Sequence, residues 1–180
     1  MSSIRSFFRR PTLALLGGAL LLAAGCAGEA DIAVKCPDIR IPADTERLTR
    51  FRDGGGRDIT DVRVQAEVTY LSGSCTVEDE AIELSFPIAV AAQRGPANDE
   101  GLADVRLFVA VTDRNREVLS RRELPLRLTF PGNKVRIIAR ENLSIDIPKT
   151  EEQGARDFLV FLGFALNAQE LEYNRTEGRF

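Results

Sequence analysis

Between Val62 and Tyr70 the chain alternates, with Val62, Val64, Ala66, Val68 and Tyr70 apolar and Arg63, Gln65, Glu67 and Thr69 polar between them. A period of two puts the first set on one face of a strand and the second on the other, which predicts a half-buried β-strand. The pattern returns at Ile82, Leu84, Phe86, Ile88 and Val90 after the acidic turn Glu78-Asp79-Glu80, so the two segments read as a hairpin. Gly73 beside Cys75 marks a bulge or bend. Pro87 marks the second strand as an edge or as bent, because proline has no N–H for a ladder. Val105 to Thr112 is apolar on both faces and reads as a central strand. Alternation resumes through Val118-Leu119 and Leu124, Leu126, Leu128 and Phe130, with Pro125 facing out. It continues at Val135, Ile137 and Ala139, and then at Leu143, Ile145 and Ile147. Phe158 to Leu166 reads as a strand covered on two sides.

The remaining segments are shorter. Cys36 to Pro42 is extended, held out of helix by its prolines, and predicts a first edge strand. Asp44 to Leu48 predicts one helical turn capped by Asp44, and Asp53-Gly54-Gly55-Gly56-Arg57-Asp58 a loop. Gln93 to Asp104 is the longest irregular stretch. One helix is expected, at the C-terminus, where Asn167 caps, Glu170 reaches back as a capping-box acid, and Leu171 and Tyr173 supply apolar packing. The sum is an all-β fold, a two-sheet antiparallel sandwich of about seven strands with one short C-terminal helix. Over about Val34 to Leu166 this architecture resembles immunoglobulin-like and fibronectin-type-III-like domains, though the chain has no Trp and its Cys spacing departs from the antibody pattern. A transthyretin-like sandwich and a small β-barrel are the alternatives.

The first residues carry a different signal. Arg5, Arg9 and Arg10 precede an apolar run from Leu13 to Ala24, and Leu22-Ala23-Ala24-Gly25 stands directly before Cys26. A cationic start, a short apolar stretch and small residues at the cut mark a secretory peptide, and the run is short for a membrane span. This resembles a bacterial lipoprotein signal, with Ala23 where that family prefers Leu. The resemblance implies a signal peptide over 1–25, lipidation of Cys26, and a short tether over 26–34 ahead of one domain over 35–180. It also implies a processed protein held at the outer membrane and facing the periplasm, because Ala27 stands where an Asp would favour inner-membrane retention. Small Gram-negative envelope lipoproteins are the group the whole chain resembles.

Composition narrows the chemistry. The segment before Cys26 holds three of the 24 basic side chains and none of the 27 acidic ones, so the remainder carries 21 against 27, a net charge of −6. An acidic surface does not suit nucleic acid. Once Cys26 is lipidated two thiols remain, and in an oxidising compartment a Cys36–Cys75 disulfide is expected. The chain has no His, which removes the usual general base, the usual zinc ligand and the Ser-His-Asp and Cys-His arrangements together.

Several groups of side chains bear on chemistry. The Gly54-Gly55-Gly56 triplet has glycines that let amides converge on an anion, but it lacks the spacing of a P-loop and reads as a hairpin loop. Asp53, Asp58 and Asp61, or Glu78, Asp79 and Glu80, carry carboxylates for calcium without the EF-hand order, so solvated acidic turns are expected and no metal or cofactor. Glu141, Asp146 and Asp157 are the acids from which a glycan-hydrolysing pair would be drawn, and nothing in the sequence selects two of them. Leu171, Tyr173 and Arg175 on the terminal helix are of types that suit a partner contact. The expectation is a non-enzymatic accessory or adaptor in an envelope assembly, anchored to the membrane by lipid and working by protein–protein contact. The alternatives are a carboxylate-dependent periplasmic hydrolase acting on a glycan, and a small-ligand or metal-binding module.

Overall fold

The computed structural model of the protein describes residues 35–176. Cys26, the leader and the tether lie outside the described residues. The described residues form nine strands: β1 (Asp38–Arg40), β2 (Arg47–Phe51), β3 (Val62–Tyr70), β4 (Ser74–Val77), β5 (Ala81–Arg94), β6 (Leu102–Asp113), β7 (Val118–Thr129), β8 (Arg136–Pro148) and β9 (Phe158–Phe164). One helix follows, α1 (Ala168–Thr176). The first sheet runs β1-β9-β6-β7, and the second runs β2-β3-β5-β8, with β4 pairing β5 beyond the end of β3. From β5 the chain crosses to β6, turns back as β7, returns to β8 beside β5, and crosses again to β9 beside β6. This is the Greek-key path of an immunoglobulin-like sandwich.

The inward positions are those the alternation marks. Val64, Val68, Ile82, Leu84, Phe86, Ile88 and Val90 from the second sheet meet Val105, Leu107, Val160, Leu162 and Phe164 from the first, all buried. Burying each such side chain is worth roughly 1.5–3 kcal/mol. β6 lies between β9 and β7 and is covered on its outer side as well, where the Arg121 guanidinium sits 4.6 Å from the Phe108 ring centre. That cover explains its apolar run on both faces.

Four expectations need correction. Of the two readings of Pro87, edge or bend, the edge fails, because β5 is a central strand: Val90 and Ile88 pair with β3, Ser85 and Leu84 with β4, and Pro87 falls at the junction between the two ladders. Gly73 makes the bend there, because a Cβ would strike the Ser85 carbonyl and Phe86. The helical turn near Asp44 closes early, at Ala43–Thr45, and Arg47–Phe51 is a strand, since Leu48 reaches the core. The sandwich has nine strands where about seven are expected, because β2 begins inside the expected helical turn and β4 is short and mostly polar, so neither shows the period of two. It is also not wholly antiparallel: β1 pairs with β9 in parallel, a pairing open to strands separated by most of the domain.

β1 is fastened to the opposite sheet twice. Cys36 forms a disulfide with Cys75 at the start of β4, with Cα atoms 5.6 Å apart, and the Tyr70 hydroxyl donates to the Ile39 carbonyl at 2.9 Å. The bridge closes a loop of 39 residues. Replacing both cysteines with Ala is expected to lower unfolding free energy by about 4 kcal/mol on the chain-entropy estimate, measured by chemical denaturation of the oxidised protein and the variant.

Candidate functional site

The sequence directs attention first to the terminal helix. The Asn167 side-chain oxygen accepts from the Glu170 N–H at 2.8 Å and Glu170 Oε2 accepts from the Asn167 N–H at 2.9 Å, the reciprocal box its sequence predicts. What the helix buries differs from expectation. Leu171 and Tyr173 are only half-buried, whereas Glu170 and Asn174, one turn apart, are 7% and 8% exposed. Glu170 Oε1 accepts from Arg50 Nε at 2.8 Å, and Arg50 Nη1 donates to the Asp104 carbonyl at 2.6 Å. Asn174 Nδ2 donates to the carbonyls of Asp44 at 2.8 Å and Arg47 at 2.7 Å. The helix thus docks on edge strand β2 through hydrogen bonds. Tyr173 stands edge-on to Phe51 with ring centres 5.2 Å apart, and Arg175 Nε donates to Asp44 Oδ2 at 2.9 Å.

The glycine triplet serves its own chain. Asp61, 6% exposed, accepts from the Gly56 N–H through Oδ2 at 3.0 Å. Its Oδ1 lies 2.6 Å from Arg52 Nε, a charge contact outside hydrogen-bond geometry. The loop therefore converges on an internal carboxylate. Asp58 caps the next turn by accepting from the Thr60 N–H. Glu141 and Asp146 project from opposite faces of β8, and Asp157 belongs to the turn before β9, where it accepts from the Gly154 N–H. Among the described residues no group of three or more His, Cys, Asp or Glu side chains is placed to hold a metal ion. The Gln93–Asp104 stretch is shorter than expected, because β5 runs to Arg94 and β6 begins at Leu102. Buried Asn98 closes it, donating to the Leu102 carbonyl and accepting from the Gly101 N–H.

A site not singled out from sequence lies on the outer face of the second sheet, a groove of about 820 Å³. Register builds it row by row: Thr49, Gln65, Gln93 and Arg136 stand abreast, then Arg47, Glu67, Ala91 and Ile138. Ala91 and Ile138 form an apolar floor, with Ile138 56% exposed. Arg47, Lys134, Arg136 and Arg140 surround it. Arg47 pairs with Glu67 at 3.4 Å and Arg136 Nε donates to Gln93, but no ion pair reaches Lys134, Arg136 or Arg140 among the described residues. The signal for this site was present in the chain: Ile137-Ile138 breaks the alternation, and basic residues at 134, 136 and 140 crowd one face of a net-acidic protein.

No family model and no curated protein matches the sequence. Among solved structures, the chain is similar to the variable (V) domain of the Streptococcus agalactiae AgI/II polypeptide BspA, with 10% identity over 88% of this chain and 93% of that chain, at a TM-score of 0.19. Overlap at that level carries no functional argument.

Two outcomes follow from the helix corner and its neighbour. Asn174→Ala takes the side-chain donor from the Asp44 and Arg47 carbonyls and is expected to cost about 1–3 kcal/mol in chemical denaturation. Beside it, Arg127 donates a fork to Asp104 at 2.7 and 3.1 Å and holds that carboxyl below its usual value of 3.8. A carboxyl with a depressed folded pKa adds stability above its unfolded value and loses it as pH falls through the folded one, so this pair weakens only on the acid side of 3.8. In Arg127→Met, Asp104 is expected to titrate at higher pH by carbonyl NMR.

Proposed function

We propose that this protein is a non-enzymatic adaptor, fastened by a lipid on Cys26 to the outer membrane and facing the periplasm, where it holds an envelope protein by surface contact. The observation that carries the reading is the separation between the point of attachment and the groove. The described chain enters the domain at Lys35, and the next residue is bridged to Cys75, whose partner in the sheet is Leu84. The groove's far row crosses the same strand at Gln93, nine residues on, or about 30 Å along β5. A domain hung by its lead would offer the groove away from the bilayer. The dispersed carboxylates favour contact over hydrolysis.

The test begins with the native protein. Mass spectrometry is expected to find acylated Cys26 as the first residue, and Cys26→Ser to move the protein into the soluble periplasmic fraction. An unmodified Cys26 would sink the anchor. Crosslinking in intact cells followed by mild detergent extraction is expected to recover a heteromeric complex, and recovery of the lone polypeptide would end the adaptor reading.

A further inference from the structure

We infer that the free edge of β8, from Arg136 to Asn142, is a docking strand for an extended acidic segment of a partner protein, which joins the sheet beside the cationic groove. The inference rests on the adaptor reading and names the chemistry of its partner.

The edge is defined by hydrogen-bond parity. Arg94 N–H donates to the Val135 carbonyl and Lys149 N–H to the Glu80 carbonyl, so the odd-numbered residues of β8 bond with β5. Arg136, Ile138, Arg140 and Asn142 turn their N–H and C=O groups the other way. Among the described residues no hydrogen bond reaches those backbone groups, and further along the same edge Arg122 Nη2 donates to the Ser144 carbonyl at 3.4 Å. β7, the edge strand of the other sheet, is blocked where β8 is open. Phe130 N–H bonds the Gly101 carbonyl, which sets the odd positions of β7 on its free side, and Pro125 occupies one of them.

The side chains on the open edge specify the occupant. Arg136, Ile138 and Arg140 face the groove, and Lys134 stands beside them, so residues of an added strand on that face meet three cations that no carboxylate pairs among the described residues. Residues on its other face meet Leu124, Leu126, Ala139 and Leu143, which pack half-buried at the margin of the core. The fitting segment therefore alternates acidic and apolar residues, taking affinity from backbone bonds and selectivity from the alternating contacts. A second copy pairing antiparallel about Ile138 would set Arg136 against Arg140, like charges directly opposite. An anionic bilayer offers charge but no strand.

The test uses the full chain and two synthetic probes, a short peptide alternating Glu and Val and its Lys-for-Glu counterpart. In the free protein the amides of Arg136, Ile138 and Arg140 are expected to exchange quickly with deuterium while those of Ile137 and Ala139 are protected. The Glu-Val peptide is expected to bind and slow the first set, and the Lys-Val peptide to do neither. Ile138→Pro removes an N–H that β5 does not use, and is expected to keep the melting transition and abolish binding. Arg136→Glu with Arg140→Glu is expected to weaken the Glu-Val peptide by about tenfold or more, to favour the Lys-Val peptide, and to carry the test should Ile138→Pro fail to fold. Ile138 protected in the free chain, binding indifferent to both variants, a homodimer that protects the same amides, or Arg136- and Arg140-dependent sedimentation with phosphatidylglycerol vesicles in place of peptide binding would each overturn the inference. A cellular crosslink retained by both variants would reject the β8 edge and leave the adaptor reading standing, whereas a wild-type protein without any crosslink would reject the adaptor itself.

Discussion

Both edges of β5 are committed to hydrogen bonding along nearly its whole length, and the rest of the domain is arranged around that constraint. One edge carries β8 from Ala81 to Gln93; the other carries β4 and then β3. A strand so engaged can hold a proline only where its neighbours change, and Pro87 stands at that junction. The same commitment fixes parity on both neighbours. It sends Ile82, Leu84, Phe86, Ile88 and Val90 into the core, puts Ala91 and Gln93 on the outer face, and leaves alternate backbone groups of β8 from Arg136 to Asn142 without a partner among the described residues. Core, groove and open edge are therefore three consequences of one ladder.

α1 answers a different need. β2 is the opposite edge of that sheet, and an exposed edge invites pairing. A helix with an apolar stripe would cover it and slide. Glu170 and Asn174 instead meet Arg50, the Asp44 carbonyl and the Arg47 carbonyl at fixed points. Taking a carboxylate out of water is costly, and the Arg50 pair with the cap from Asn167 offsets that cost only in one geometry. The arrangement adds little net stability compared with an apolar contact of the same size, but it sets where the helix sits. Because Arg50 also bonds the Asp104 carbonyl, the helix position is coupled to β6 in the other sheet.

Much of the fold was legible because its strands are half-buried, and half-burial writes itself as alternation. β3, β5 and β7 emerge directly, β6 and β9 show instead as runs apolar on both faces, and the capping box of α1 is legible as well, since Asn and Glu three residues apart have a local chemical reason to be there. The Cys36–Cys75 bridge was legible from the count of thiols and the compartment that the leader leads one to expect. β2 was not, because Arg47-Leu48-Thr49-Arg50-Phe51 puts only Leu48 deep in the core and gives Arg50 a buried partner 120 residues away. The glycine triplet and Asp61 belong together for a similar reason, a side chain that reaches back to cap its own loop. The groove needed the register of four strands before its cations fell on one face. Leu171 and Tyr173 drew attention as apolar residues on the helix, yet the buried positions are polar ones whose partners lie on β2 and the turn before it.

Charge on the second sheet is sorted along β5. Near the bridge to Cys75, Glu83 lies opposite Asp146, close to the turn Glu78-Asp79-Glu80. At the other end stand Lys134, Arg136 and Arg140. Like charges opposite one another cost a few tenths to 1 kcal/mol, so stability alone would have mixed the two signs. At physiological ionic strength screening extends about 8 Å, well short of the roughly 30 Å between the ends. The two ends therefore differ in their dominant sign, although Lys149 stands beside Asp79 at the acidic end and Glu67 within the cationic row. On the proposed reading, an acidic segment would be repelled near the Cys36–Cys75 bridge and drawn in over Ile138. Complementary patches steer association in this way, and on the proposed reading the cations at 134, 136 and 140 have a role that folding does not require of them.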